Sequence, residues 1–315
     1  MTSKSNSAPG STPSRSLRRP GDSWLAVALL APSIVILGVF VLWPALESVH
    51  LSLLDFDPFM THSNFVGFEN YKLLSTSPDY WESLGVTFIF LFMTAIPNVI
   101  IALLLALALD REPFLRGIFR SVFLMPVAVS SAMAAMLWIF IYNPSSGFLN
   151  YGIEYLFAAL GKGGTHGPNW LGDPDVALAS VAVTTIWKEV GFNIIFFLAG
   201  LASIPSELKA AAKIDGAGSF ATFWHVTLPL LAPTVLFVSV VSILNSFQSF
   251  GQIHILTAGG PANATNTLVY NLYRDAFENF QTGSASAQAV ILFLLMLIAT
   301  VVQFRISKGK GSIAE

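Results

Sequence analysis

The sequence predicts an all-α membrane protein with six transmembrane helices, and three observations carry that expectation. Of its 315 residues, 54% are hydrophobic and 11% charged, with a mean hydropathy of +0.67. That leaves too few charges to cover a soluble globule of this size. Apolar runs long enough to cross ~30 Å of hydrocarbon, which takes about 20 residues, recur at roughly 24–43, 84–109, 118–142, 177–201, 229–250 and 286–305. The cations are also unevenly shared between the connections. Lys4, Arg15, Arg18 and Arg19 precede the first run, Arg111, Arg116 and Arg120 flank the second connection, Lys209 and Lys213 sit in the fourth, and Arg305, Lys308 and Lys310 follow the last run. Only Lys72, Lys162 and Arg274 occupy the other three connections. Positively charged segments stay in the cytoplasm, so both termini and the fourth connection are expected there.

Residues 1–23 are rich in Ser, Pro and Arg without apolar periodicity and read as a disordered cytoplasmic tail. The run at 24–43 is longer than a signal-peptide core and is followed by Trp43-Pro44 rather than a small-residue cleavage site, so a retained anchor is expected. Pro97, Pro126 and Pro233 lie in or near spans and mark kinks. The domain is expected to cover 24–305, with a polar loop at about 203–228 and a cytoplasmic tail at 306–315. No internal repeat is evident. The absence of cysteine excludes disulfides and thiolate metal sites. A net charge of -2 says little about partners, because the distribution across the membrane carries the information.

No cradle for ATP phosphates of the form G-x-x-x-x-G-K-[ST] is present. Gly161-Lys162-Gly163-Gly164 and Gly309-Lys310-Gly311-Ser312 have the wrong spacing and read as turn and tail glycines. There is no H-E-x-x-H, no nucleophile elbow and no histidine cluster, since His50, His62, His166, His225 and His254 are scattered. The chain is expected to be a conduit without catalytic residues or a metal.

Polar groups inside spans are expensive and mark pathways. In the fourth run Thr185, Lys188, Glu189 and Phe192 share one helical face, and in the fifth Ser242, Asn245, Ser246 and Ser249 do the same, with Ser239 extending the stripe. Such stripes form facing walls of a hydrophilic cavity, although single serines equally serve helix packing. Two readings stay open for Lys188: a cation facing the solute, or one that only neutralises Glu189.

Pro205 to Gly218, with the trailing Leu228-Pro229, is a charged amphipathic island between hydrophobic helices. Ala211, Ala212 and Ile214 give it a small apolar side, and Gly216 supplies a joint for a sharp turn. With its Ile-Asp-Gly-Ala core this segment resembles the coupling loop of bacterial ABC import permeases, which docks into the ATPase subunit. One departure is Ala210, where the family usually has the Glu directly before the two alanines; Glu207 lies one turn earlier. Trp138-Ile139-Phe140, Asn143-Pro144, Gly147, Trp187-Lys188, Ala199-Gly200-Leu201 with Ile204-Pro205, and Gly259-Gly260-Pro261 are similar to landmarks of sugar-type permeases such as the maltose permease. Asp57-Pro58-Phe59, Phe65-Val66-Gly67, Asn193, Phe196-Phe197, Ala212 to Gly218, Thr265 to Tyr270, Tyr273-Arg274 and Ser284 to Gln288 most resemble the first permease of glycerol-3-phosphate and glycerophosphodiester importers.

The resemblance implies a type I ABC importer permease fold in a bacterial inner membrane. It implies a second permease, two ATPase subunits forming a homodimer and an extracytoplasmic substrate-binding protein as partners, with ATP and Mg on the ATPases and no nucleic acid. It places solute contacts on Thr185, Lys188, Glu189, Phe192, Ser242, Asn245, Ser246 and Ser249. Coupling to the ATPase falls on Glu207, Ala211, Ala212, Asp215, Gly216 and Ala217. The expected solute is glycerol-3-phosphate or a glycerophosphodiester such as glycerophosphocholine, with a disaccharide or oligosaccharide as the alternative. A secondary transporter coupled through Lys188 and Glu189 is a more distant rival, and an intramembrane enzyme more distant still.

Overall fold

The computed structural model describes residues 20–57, 62–111, 113–161 and 166–311. The expected tail up to residue 19, Pro58, Phe59, Lys162 and the last four residues lie outside them. Two compact units divide the chain at Ser48. The first holds α1 (Pro20–Leu37), a π-helical turn (Gly38–Leu42) and the start of α2 (Trp43–Leu51). Its large apolar side chains from Val27 to Leu46 are exposed, the surface a helix presents when its solvent is hydrocarbon.

In the second unit, β1 (Leu54–Phe56) and β2 (Ser63–Phe65) pair antiparallel with Leu54 opposite Phe65. This small sheet is a minor addition to a chain that is otherwise mostly helical, as expected. Asn70 holds it by donating to the Ser52 and Leu54 carbonyls, each at 2.9 Å. Then follow α3 (Glu69–Thr76), α4 (Pro78–Arg111), α5 (Pro113–Ala128), α6 (Ser131–Ile141), α7 (Phe148–Ala159), α8 (Pro174–Ala202) and α9 (Ser206–Ile214). The chain continues through α10 (Ser219–Thr222), a π turn (Phe223–Thr227), α11 (Leu228–Leu230), α12 (Ala232–Phe247), α13 (Gly251–Leu256), α14 (Leu268–Tyr273), a third π turn (Arg274–Glu278) and α15 (Thr282–Gly311).

Val27–Leu51, Pro78–Asp110, Pro174–Ala202 and Thr282–Ser307 are long and apolar enough to cross a bilayer. The expected spans at 118–142 and 229–250 are not single straight helices. Ser121–Ala128 and Ser131–Ile141 meet at 109°, and Ser219–Leu230 and Ala232–Phe247 at 69°, so six spans result when each bent pair counts once. The first break has a local cause: Pro126 cannot donate into the helix, and the Ser130 hydroxyl accepts from Met133 N at 3.2 Å to cap a new one. Pro233 starts α12 in the same way. At α8, Asp173 accepts from Asp175 N at 3.0 Å and Pro174 takes the first turn.

Lipid tails are as apolar as leucine, so these helices are held by close packing and interhelical hydrogen bonds. Along α4, fully buried Ala102 and Ala106 let α8 approach and pack Ile194, Phe197 and Leu201. On another face of α8, a Cβ at Gly191 would lie 1.7 Å from the Phe123 carbonyl oxygen, so the α5 backbone runs directly over it. At the end of α4 away from α9, polar groups tie the α13–α15 segment down. Asn266 donates to Ser83 at 3.0 Å, Leu268 N to Thr87 at 2.7 Å, Asn271 to Gln288 at 3.0 Å and Gln288 to Asp275 at 2.6 Å. Gln288 has no exposed surface, which only such satisfaction permits.

Candidate functional site

α8, α12, the α5–α6 break and the turn between α12 and α13 line a polar cavity of about 350 Å³. α8 presents Lys188, Glu189, Phe192 and Asn193 to it, and α12 presents Asn245. α12 ends at Phe247, so Gln248, Ser249 and Gln252 turn into the cavity, while Val127 and Ser131 enter from either side of the α5–α6 break. The α5–α6 break and the α12–α13 turn touch: a Cβ at Gly251 would lie 2.9 Å from that of Ser131. Phe250, also on the wall, stacks on His254 at 5.1 Å and meets Tyr273 at 4.8 Å.

Of the eight residues expected to contact solute, Lys188, Glu189, Phe192, Asn245 and Ser249 line this cavity. Thr185, Ser242 and Ser246 do not; they are buried between helices. Thr185 donates to the Val181 carbonyl at 2.9 Å, Ser246 shares a 2.7 Å hydrogen bond with Thr94, and Ser242 accepts from Asn193 at 3.0 Å. Spacing put these hydroxyls on the right stripe, but in an apolar span the nearest acceptor satisfies them.

Asn98 donates to the Glu189 carboxylate at 3.5 Å, and Asn193 in turn donates to Asn98 at 3.1 Å. Lys188 makes no ion pair within 4.0 Å among the described residues. Lys188 and Glu189 lie side by side on the same cavity wall. The buried Ser249 hydroxyl has no partner and adds an unused donor on the same wall. Sequence reasoning missed Asn98, Gln248, Gln252 and Ser131. Asn98, an amide in the middle of an apolar run, was legible as an intramembrane polar group; the others are placed only by the breaks.

The expected coupling loop folds as α9 and α10 joined by Gly216. Gly216 N donates to Lys213 O at 3.1 Å and Ala217 N to Ala212 O at 2.9 Å, the paired bonds of a Schellman C-cap. Gly216 has φ +79°, the left-handed conformation that this cap requires. Glu207, Ala211 and Asp215 are exposed, and Ile214 is 86% exposed, forming one outward face. Ala212 and Ala217 are half-buried, away from it. On the inner side Lys209 meets Asp110 of α4 at 3.6 Å.

Residues 81–311 match the profile of a family described as "Binding-protein-dependent transport system inner membrane component". The chain is 41% identical over 284 residues to the sn-glycerol-3-phosphate transport system permease protein UgpA of Agrobacterium fabrum, covering 89% of this chain and 94% of that one. It is 37% identical over 290 residues to the protein of the same name from Escherichia coli, covering 91% and 95%. The fold is similar to a solved bacterial ABC transporter involved in the import of the acidic polysaccharide alginate, with a TM-score of 0.78 at 22% identity over 91% of this chain and 96% of that one.

Proposed function

Because the chain belongs to the family of binding-protein-dependent transport system inner membrane components, we propose that it is the permease subunit through which an ATP-driven importer moves sn-glycerol-3-phosphate or a glycerophosphodiester such as glycerophosphocholine into the cytoplasm. The relatives' shared name supports that solute class. The observation in this chain that carries it is Lys188, a cation on the cavity wall with no ion pair among the described residues. A phosphate group would be attracted to that charge, with the Ser249 hydroxyl on the same wall as a further donor. Asn193, Asn245, Gln248 and Gln252 suit the hydroxyls of a glycerol moiety. The same amide-rich wall favours a neutral disaccharide as the second reading.

Both termini and α9 face the cytoplasm in this reading, in keeping with the cation distribution. The partners are a second permease, two ATPase subunits that bind ATP and Mg²⁺, and an extracytoplasmic substrate-binding protein. ATPase closure pushes on the outward face of α9, and the spans rock to expose the cavity to one side and then the other. The chain itself hydrolyses nothing.

Uptake by the reconstituted complex, with ATP and the binding protein present, tests this. Lys188→Ala removes a charge-assisted contact worth about 1.5–3 kcal/mol, so uptake of a glycerophosphodiester is expected to weaken by roughly 10- to 150-fold. Lys188→Arg retains part of it. Lys188→Ala with Glu189→Ala is expected to give no rescue, since the lost cation is the one that attracts the solute. Full rescue by the double variant, or transport of only a neutral disaccharide by the unmodified complex, refutes the phosphate reading.

A further inference from the structure

A groove of about 780 Å³ lies between the α9 end of α4, the end of α8, and the α9–α10 loop. Leu104 and Leu107 of α4, Leu201 of α8, and Phe220 and Phe223 form its apolar wall. Among the described residues its cations are Lys209 and Lys213 on α9, and its carboxylate is Asp110. Asp110 pairs with Lys209 at 3.6 Å, whereas Lys213 has no ion pair among the described residues, so cations outnumber carboxylates there.

We propose that this groove binds an anionic glycerophospholipid of the cytoplasmic leaflet, with the headgroup phosphate at Lys213 and an acyl chain along the apolar wall. Three features select this occupant. From Asp110 to Leu104 the wall descends six helical residues, about 9 Å into the span at 1.5 Å per residue, a depth that an acyl chain fills and a small hydrophilic anion does not. The cations sit at the rim, where headgroups lie, and a basic pocket between helices at the cytoplasmic boundary suits an anionic headgroup. The groove is also on the reverse side of α9 from the face expected to dock on the ATPase. At 100° per residue, Lys209 and Lys213 lie opposite Glu207, Ala211 and Ile214. A bound lipid would fill the space under α9 and brace it, making coupling sensitive to membrane composition. The site rests on the cytoplasmic orientation of α9 but not on the solute assignment.

A photoreactive benzophenone residue at Leu107 in the assembled complex, irradiated in nanodiscs of phosphatidylglycerol and phosphatidylcholine, tests the occupant. The expected result is a lipid adduct, with phosphatidylglycerol favoured over phosphatidylcholine and Lys213→Gln lowering that preference about five-fold, the weight of one cation near a charged headgroup. Leu107→Trp, which fills the wall, is expected to abolish retention of phosphatidylglycerol by the purified complex, as read by native mass spectrometry. Equal labelling by both lipids, no effect of Lys213→Gln, or an adduct to another protein chain overturns the proposal. Uptake measured with either lipid is a separate readout, so loss of the solute assignment leaves the lipid result standing.

Discussion

Gly191→Ala adds one carbon at the point where α5 crosses α8, and the consequence can be worked from the contact itself. The new Cβ would lie 1.7 Å from the Phe123 carbonyl oxygen, 2.7 Å from its carbon and 3.3 Å from Val127 Cγ2. Reaching an ordinary contact distance of about 3.4 Å requires the α5 backbone to withdraw by roughly 1.7 Å. No rotamer relieves a clash with a main-chain carbonyl. Overpacking of this kind costs about 1–3 kcal/mol, and the upper end applies because the α5–α8 contact must open as a whole. Gly85 in α4 is the control: nothing lies within 4 Å of its Cβ position, so Gly85→Ala is expected to stabilise by about 0.5–1 kcal/mol through helix propensity alone. Melting of the detergent-solubilised protein measures both, at about 2–4 °C per kcal/mol for a chain of a few hundred residues. Because Val127 also lines the polar cavity, uptake is expected to fall in Gly191→Ala and to be retained in Gly85→Ala. If Gly191→Ala melts at or above the unmodified protein with normal uptake, the close crossing of α5 over α8 is wrong.

Three further outcomes follow from the geometry. Gly216→Val finds open space but a left-handed backbone, so it is expected to uncouple ATP hydrolysis from uptake; Gly216→Asn, which tolerates that conformation, should retain coupling, and equal behaviour of the two in a reconstituted assay refutes the C-cap role. Ser246→Ala and Thr94→Val each remove the shared buried 2.7 Å bond and their own bond to a helix carbonyl, so each is expected to cost about 0.6 kcal/mol, the pair less than the sum of the two, with uptake kinetics unchanged. A raised solute requirement in Ser246→Ala would restore that residue to the cavity wall. The chain has no cysteine, so single cysteines report topology cleanly. Phe148→Cys, 79% exposed, is expected to react with an impermeant maleimide on intact cells, and Ile214→Cys, 86% exposed, only after lysis; the reverse pattern inverts the orientation.

The helical spans and the α9 loop were legible because their signals are local: a long apolar run, or a charged island with a glycine after it. The cavity was legible only in part. Helical spacing identifies a face but not which neighbour that face meets. Lys188 and Asn245 reach the cavity while Thr185, Ser242 and Ser246, on the same stripes, turn between helices. The break at Val129–Ser130 was invisible to hydropathy, since apolar residues lie on both sides. Only Pro126 and the capping Ser130 hinted at it. Glycines posed the same difficulty. Gly85 and Gly191 both sit in apolar runs, yet one faces open space and the other a backbone carbonyl, a distinction that depends wholly on tertiary packing.

α4 joins the two functional regions more simply than any loop could. Asn98 contacts Glu189 at the cavity and Asp110 contacts Lys209 at the α9 loop. Twelve helical residues separate them, about 18 Å of continuous helix. The two contacts differ in character. Asn98 belongs to a buried amide network whose loss strands a carboxylate at a cost of about 1–3 kcal/mol. Asp110 and Lys209 are each about a third exposed, and such a pair contributes about 0–1 kcal/mol. The cavity end of α4 is therefore fixed while the α9 end is only steered. In the proposed reading, where an ATPase pushes on α9, that weakness leaves the loop free to move under the push.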